Sequence, residues 1–161
     1  AGLAWGAIGT ETNGSITCPA SMNGVVGFKP SVGIVSRTHV VPISSTQDTA
    51  GPMTRSVYDA ALLLTAIAAP DPADPVTLEA ARVADYTEGL DAASLAGVRI
   101  GVIRSAVGGR EDVKALFAGA LADLERAGAV LVELDYAAPG ALWGASMPVL
   151  MYELRETMDA Y

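Results

Sequence analysis

One cysteine, Cys18, and one histidine, His39, are all that the chain offers of the residues that hold soft metals, so no zinc ligand set can be assembled and no internal disulfide can close. Basic residues are scarce as well: ten Lys and Arg stand against eighteen Asp and Glu, a formal net charge of −8. That balance is the reverse of what a phosphate backbone attracts, and nucleic acid is not expected as a partner. No apolar run approaches the length of a membrane span, and no basic residue precedes Lys29, so neither a membrane segment nor a secretory signal is expected. A cytoplasmic setting is the expectation. The start AGLAWGAIGT lacks an initiator Met and, like the end at Tyr161, reads as cut rather than natural.

What is present is a core. Hydrophobic residues make up 51% and charged residues 17% of the 161, which argues for one packed domain, or a piece of one, and against a disordered chain. Residues 1–69 read as an apolar run, LAWGAI, feeding the polar loop GTETNGS, then a stretch with closely spaced Gly and Pro that favours short strands and turns, then a helix over about 56–69. Ser56, three residues before Asp59, gives that helix a capping-box-like start. The stretch 70–97 opens on Pro70, Pro72 and Pro75, and within residues 70–94 six acids stand against Arg82 alone. It reads as a solvated acidic excursion in which VTLEAARV adds a short helix.

From 98 to 161 the period changes. VRIGVI and AVLVELDY are strand candidates, and between them EDVKALFAGALADLERAG places Val113, Leu116, Phe117, Leu121 and Leu124 on one helical face. A terminal helix over about 139–161 follows this βαβ unit. Parallel strands joined by a helix need helices over the sheet, so the fold class is α/β, a mixed β-sheet covered by helices. Trp5, Trp143 and the tyrosines read as core and pocket-wall residues.

The chemistry lies in GTETNGSITCPAS. If the loop is tight, the amides of Thr12, Asn13 and Gly14 turn toward one point, as donors to the anion formed when a serine attacks a carbonyl. From that pattern alone, a glycine loop that merely turns the chain is the better-supported reading, since isolated Gly-Ser loops are common. A triad of Ser15, His39 and Asp48 has no GxSxG elbow to support it, and the lone His reads as a polar loop residue. Cys18 reads as a small buried residue. A phosphate cradle is unsupported, since GxxxxGK[ST] is absent.

The segment as a whole resembles the amidase-signature family, whose motif runs Gly-Thr-Asp-x-Gly-Gly-Ser-Ile-Arg-x-Pro and continues into Gly-x-Lys-Pro and Asp-x-x-Gly-Pro. Here the matching positions are Gly9, Thr10, Glu11, Gly14, Ser15, Ile16 and Pro19, then Gly27, Lys29 and Pro30, then Asp48, Gly51 and Pro52. The resemblance extends over essentially all of residues 1–161, as a partial domain. It implies that Ser15 is the acyl-forming nucleophile, that the amides of Thr12, Asn13, Gly14 and Ser15 form an oxyanion hole, and that the reaction is amide hydrolysis without metal or organic cofactor. It also implies that a neutral lysine and a second serine in a cis peptide, both upstream in the family, activate the nucleophile. Neither is in this chain, where the only lysines are Lys29, at the Lys-Pro position, and Lys114, on an exposed helix face. The isolated segment is therefore expected to be inactive.

Three positions depart from the motif: Glu11 for Asp, Asn13 for Gly and Thr17 for Arg. Asn13 is expected to keep the loop by tolerating left-handed backbone. Thr17 removes a fixed cation beside the nucleophile, which argues for a small, neutral amide substrate. The alternatives are the catalytic subunit of a glutamyl-tRNA amidotransferase, which shares the signature, and a degenerate scaffold without catalysis. Apolar surface left open by absent strands would invite self-association as a homo-oligomer.

Overall fold

Alternation is weak in GAIGTE, yet Gly6–Glu11 forms a strand, β1, because it finds a partner along its whole length. It pairs antiparallel with β3, Thr49–Thr54, from Gly6 opposite Thr54 to Glu11 opposite Thr49. In the computed structural model, which describes residues 2–137 and 140–161, β2, Val26–Gly27, pairs with the other edge of β3, giving a three-stranded sheet in the order β1-β3-β2. The LAWGAI run is not buried as a run: Ile8 is exposed and Trp5 is 46% exposed, because β1 is an edge strand with one side of the sheet open. The side chain of Trp143 lies outside the described residues.

The Gly- and Pro-rich stretch holds one short helix, α1, Thr17–Met22. Pro19 is tolerated there because the first turn of a helix has no use for its missing N–H. Helix α2, Val57–Ile67, begins where expected, with the Ser56 hydroxyl accepting the Asp59 N–H at 3.0 Å. It turns Ala60 and Leu64, four apart, inward, and Leu64 joins Val35 and Ala50 in a core lined by Ile34, Ile67 and Tyr86.

The acidic stretch is less solvated than its charge suggests. Asp74 is buried and takes a forked pair from Arg37, Nη2 at 2.7 Å and Nε at 2.9 Å, plus the Arg37 N–H at 3.0 Å. Asp71 accepts the hydroxyls of Ser36 at 2.6 Å and Thr38 at 2.5 Å. Two of the six acids thus pin the excursion to residues 36–38, and its helix is a single turn, α3, Val76–Glu79.

The chain divides into two units, Ala1–Leu90 with Ala145–Tyr161, and Asp91–Gly144. The second contains the expected βαβ arrangement: β4, Arg99–Val102, and β5, Val130–Glu133, run parallel, with Arg99 opposite Val130, and are joined by α4, Glu111–Arg126. Leu121 is buried, but Leu116, expected on the same face, is 77% exposed. It lies one residue, about 100° of helix, from Phe117, and the covered stripe follows Phe117, Leu121 and Leu124 instead. A final helix, α5, spans Gly140–Ala160 with Pro148 inside it. Antiparallel and parallel pairing under helices make this a mixed α/β chain. No helix among the described residues is long and apolar enough to cross a membrane.

Candidate active site

Strand β1 delivers the chain to residues 12–16 and α1 leads it away, so Ser15 stands exposed on the turn between strand and helix. The turn is made at Gly14, whose φ of 109° is a conformation that side chains disfavour; a Cβ there would meet nothing, so backbone rather than space selects glycine. Asn13 does not adopt positive φ, contrary to the role expected for it. Its glycine-matching position needs no special backbone once Gly14 turns the chain.

The residue after Ser15 anchors the loop. Ile16 is fully buried and lies across three glycines, one from each strand region of the sheet. A Cβ at Gly9 would stand 3.2 Å from its Cγ1, at Gly27 3.3 Å from its Cγ2, and at Gly51 3.1 Å from its Cδ1. The motif glycines around Ser15 are thus the floor on which its neighbour rests.

Glu11 ties the far side of the turn. Its Oε2 accepts the N–H of Ile16 and of Thr17, both at 2.8 Å, and the Thr17 hydroxyl at 3.2 Å. Burial pushes this carboxyl up, but the N–H groups of Thr17, Ile16 and Gly14 together with the Thr17 hydroxyl outweigh it and hold the carboxyl below its ordinary value. The departure from Asp is therefore accommodated: the longer side chain still reaches the two amides that begin α1.

Asp48 ties the near side. Its Oδ1 accepts the Thr12 hydroxyl at 2.5 Å, and its Oδ2 accepts the N–H of Ile43 at 2.8 Å and of Ser44 at 2.7 Å. Lys29 Nζ donates to the Gln47 carbonyl at 3.0 Å and fixes the approach to Asp48. Both motif residues hold structure. No hydrogen bond joins His39 to Asp48 or Ser15 among the described residues, and Asp48 is committed elsewhere, so the triad is not assembled. His39 stands on the loop with a φ of 66°.

A cavity of about 50 Å³ opens beside Ser15, walled by Thr10, Glu11, Thr12, Val40, Val41, Ile43 and Asp48. Among the described residues no hydrogen bond occupies the N–H of Thr12, Asn13 or Ser15, or the Ser15 hydroxyl. The Gly14 amide faces the Glu11 carboxylate. Given a base to take its proton, an exposed hydroxyl on a loop tied at both ends can attack a carbonyl carbon, and unoccupied amides beside it can receive the charge that forms on the carbonyl oxygen. Cys18, read from sequence as buried, is exposed; α1 turns Ala20, two residues and about 200° of helix away, inward instead.

One residue near the site was not singled out in sequence. Glu153, on α5 and 109 residues from Ser44, is buried against the segment that carries Asp48. No local pattern could have signalled it, because its partners are distant in the chain.

The family model for Amidase matches residues 1–161. The solved structure of native peptide amidase from Stenotrophomonas maltophilia superposes with a TM-score of 0.91 at 49% identity, covering 99% of this chain and 33% of that one. A glutamyl-tRNA(Gln) amidotransferase subunit of Thermosynechococcus vestitus is 46% identical over 131 residues, covering 80% of this chain and 27% of the relative. The corresponding subunit from Thermotoga maritima, as a solved structure, gives a TM-score of 0.77 at 30% identity, over 98% of this chain and 34% of that one. The chain thus spans roughly a third or less of the length of these relatives.

Proposed function

The chain belongs to the amidase family, and from that premise we propose that it supplies the acyl-accepting serine, Ser15, of a carbon–nitrogen hydrolase acting on amides. In this reading Ser15 Oγ attacks the amide carbonyl and the C–O bond forms as the carbonyl pair moves onto oxygen; that pair then returns as the C–N bond breaks, and the leaving amine takes the proton given up by the hydroxyl. Water then releases the acid from the acyl-enzyme and restores the hydroxyl. The amides of Thr12, Asn13, Gly14 and Ser15 receive the oxyanion, Gly14 sharing its N–H with Glu11. The observation that carries the reading is the exposed Ser15 on a loop held by Glu11 and Asp48 with amides left open.

A serine hydroxyl needs a neighbour to take its proton. Lys29 is committed to the Gln47 carbonyl and Lys114 pairs with Glu111 at 2.8 Å on α4, so neither serves Ser15. The base comes from outside these 161 residues, and the chain alone is inactive. Thr17, whose hydroxyl and N–H are both engaged with Glu11, offers no cation to a substrate carboxylate, which favours a small neutral amide. The test is fluorophosphonate labelling with site mapping, on this chain and on the whole protein. Ser15 labelled only in the whole protein is the expected result; no labelling of Ser15 in either overturns the assignment and leaves a non-catalytic scaffold.

The likeness to the amidotransferase relative, 46% identity over 131 residues, supports a second reading in which the same serine works beside partner subunits. Ammonia transfer dependent on co-purifying subunits would favour it; hydrolysis of simple amides by the protein alone favours the first.

A further inference from the structure

The loop that carries Asp48 is itself held from behind. Glu153, on α5, accepts the Ser44 hydroxyl through Oε2, the Thr46 hydroxyl at 2.8 Å through Oε1, and the Thr46 N–H at 3.5 Å. Ser44 is fully buried and Glu153 nearly so. The N–H of that same Ser44 donates to Asp48 at 2.7 Å, and Asp48 in turn takes the Thr12 hydroxyl. Four residues thus form an unbroken relay from α5 to the first residue of the serine loop.

We infer that Glu153 is a positioning residue for Ser15, acting through Ser44, Asp48 and Thr12 to fix where the serine loop presents its hydroxyl and amides. It touches no reacting atom. Its chemistry suits that role, because a carboxylate accepts from two hydroxyls and an amide at once, and a buried carboxylate whose acceptors are satisfied resists rotation. An apolar side chain in its place would leave the Ser44 and Thr46 hydroxyls without partners and free residues 43–48 to shift. Because the Thr12 hydroxyl is tied to Asp48, such a shift passes to the turn beyond β1.

The inference rests on the reading of Ser15 as nucleophile, and the experiment separates the two. In the whole protein, Glu153→Ala is expected to lower kcat about tenfold and Glu153→Gln, which keeps one acceptor oxygen, about threefold, with KM changed less than about twofold in each, since displaced catalytic groups cost rate before binding. Asp48→Asn alone is expected to lower kcat as well, and the Glu153→Ala/Asp48→Asn pair to be no slower than about twofold below Asp48→Asn, because both act through one contact. Full kcat in folded Glu153→Ala, or multiplicative losses in the pair, overturns the inference. If the alanine variant does not fold, Glu153→Gln decides: reduced kcat at unchanged KM supports the inference, and kcat equal to that of the parent overturns it. Ser15→Ala is the separate control; retained activity there removes the nucleophile reading itself, whatever Glu153 does.

Discussion

A methyl group added at Gly51 would meet the Phe28 carbonyl oxygen and, at 2.8 Å, Pro30 Cδ, neither of which can move without moving the chain. Gly51→Ala is expected to destabilise the whole protein by about 3 kcal/mol, read from the shift in denaturant midpoint, because overpacking against backbone has no rotamer escape. At Gly14 the same methyl meets nothing, and the cost there is conformational alone. The two glycines look alike in the motif, yet one is selected by a neighbour and the other by its own φ. Sequence could locate both but could not tell these causes apart. The same limit explains Asn13, whose tolerance of left-handed backbone is a real property that the turn does not use.

Among the elements, α2 is the one most fully written in local sequence. Ser56 caps it, Asp59 lies in its first turn, and its end at Ile67 precedes Pro70. Ser56→Ala is expected to cost about 1 kcal/mol of stability in the same denaturation assay, the usual worth of a capping hydroxyl. The βαβ unit was legible for a similar reason, since a change of period marks it. Strand β3 was not: TAGPMT has neither alternation nor β-branched content enough to announce a strand, and it exists because β1 and β2 pair with it on either side. The Arg37–Asp74 pair and the Glu153 relay escaped for the same physical reason, namely that partners 37 and 109 residues apart leave no local trace. The loop around Ser15 stood out because its motif is contiguous, and Glu11 and Asp48 were marked as motif positions; the hydrogen bonds by which they tie that loop were not legible, because they join separate regions of the chain.

Across the whole molecule, four carboxylates that hold loops together share one direction of shift. Asp74 is lowered chiefly by the Arg37 hydrogen bonds, Asp71 by the Ser36 and Thr38 hydroxyls, Glu153 by the Ser44 hydroxyl, and Glu11 by loop amides that overcome its burial. A carboxyl whose folded value lies below its unfolded one contributes stability in full above the unfolded value and loses it as pH falls through the folded one. With ordinary values of 4.5 for the glutamates and 3.8 for the aspartates, stability is expected to be flat from neutrality down to about pH 5 and to fall progressively below that. Thermal melts from pH 7 to 3 read this directly, and an unchanged melting temperature at pH 3 would contradict it. Above that range the serine loop is held on one side by Glu11, on the other by Asp48, and from beneath by Ile16 on its glycines. A turn immobilised in this way has already surrendered its conformational freedom when the chain folds, so in the reaction proposed above an amide reaching Ser15 would meet a surface with little left to order and lose little of its binding free energy to arranging it.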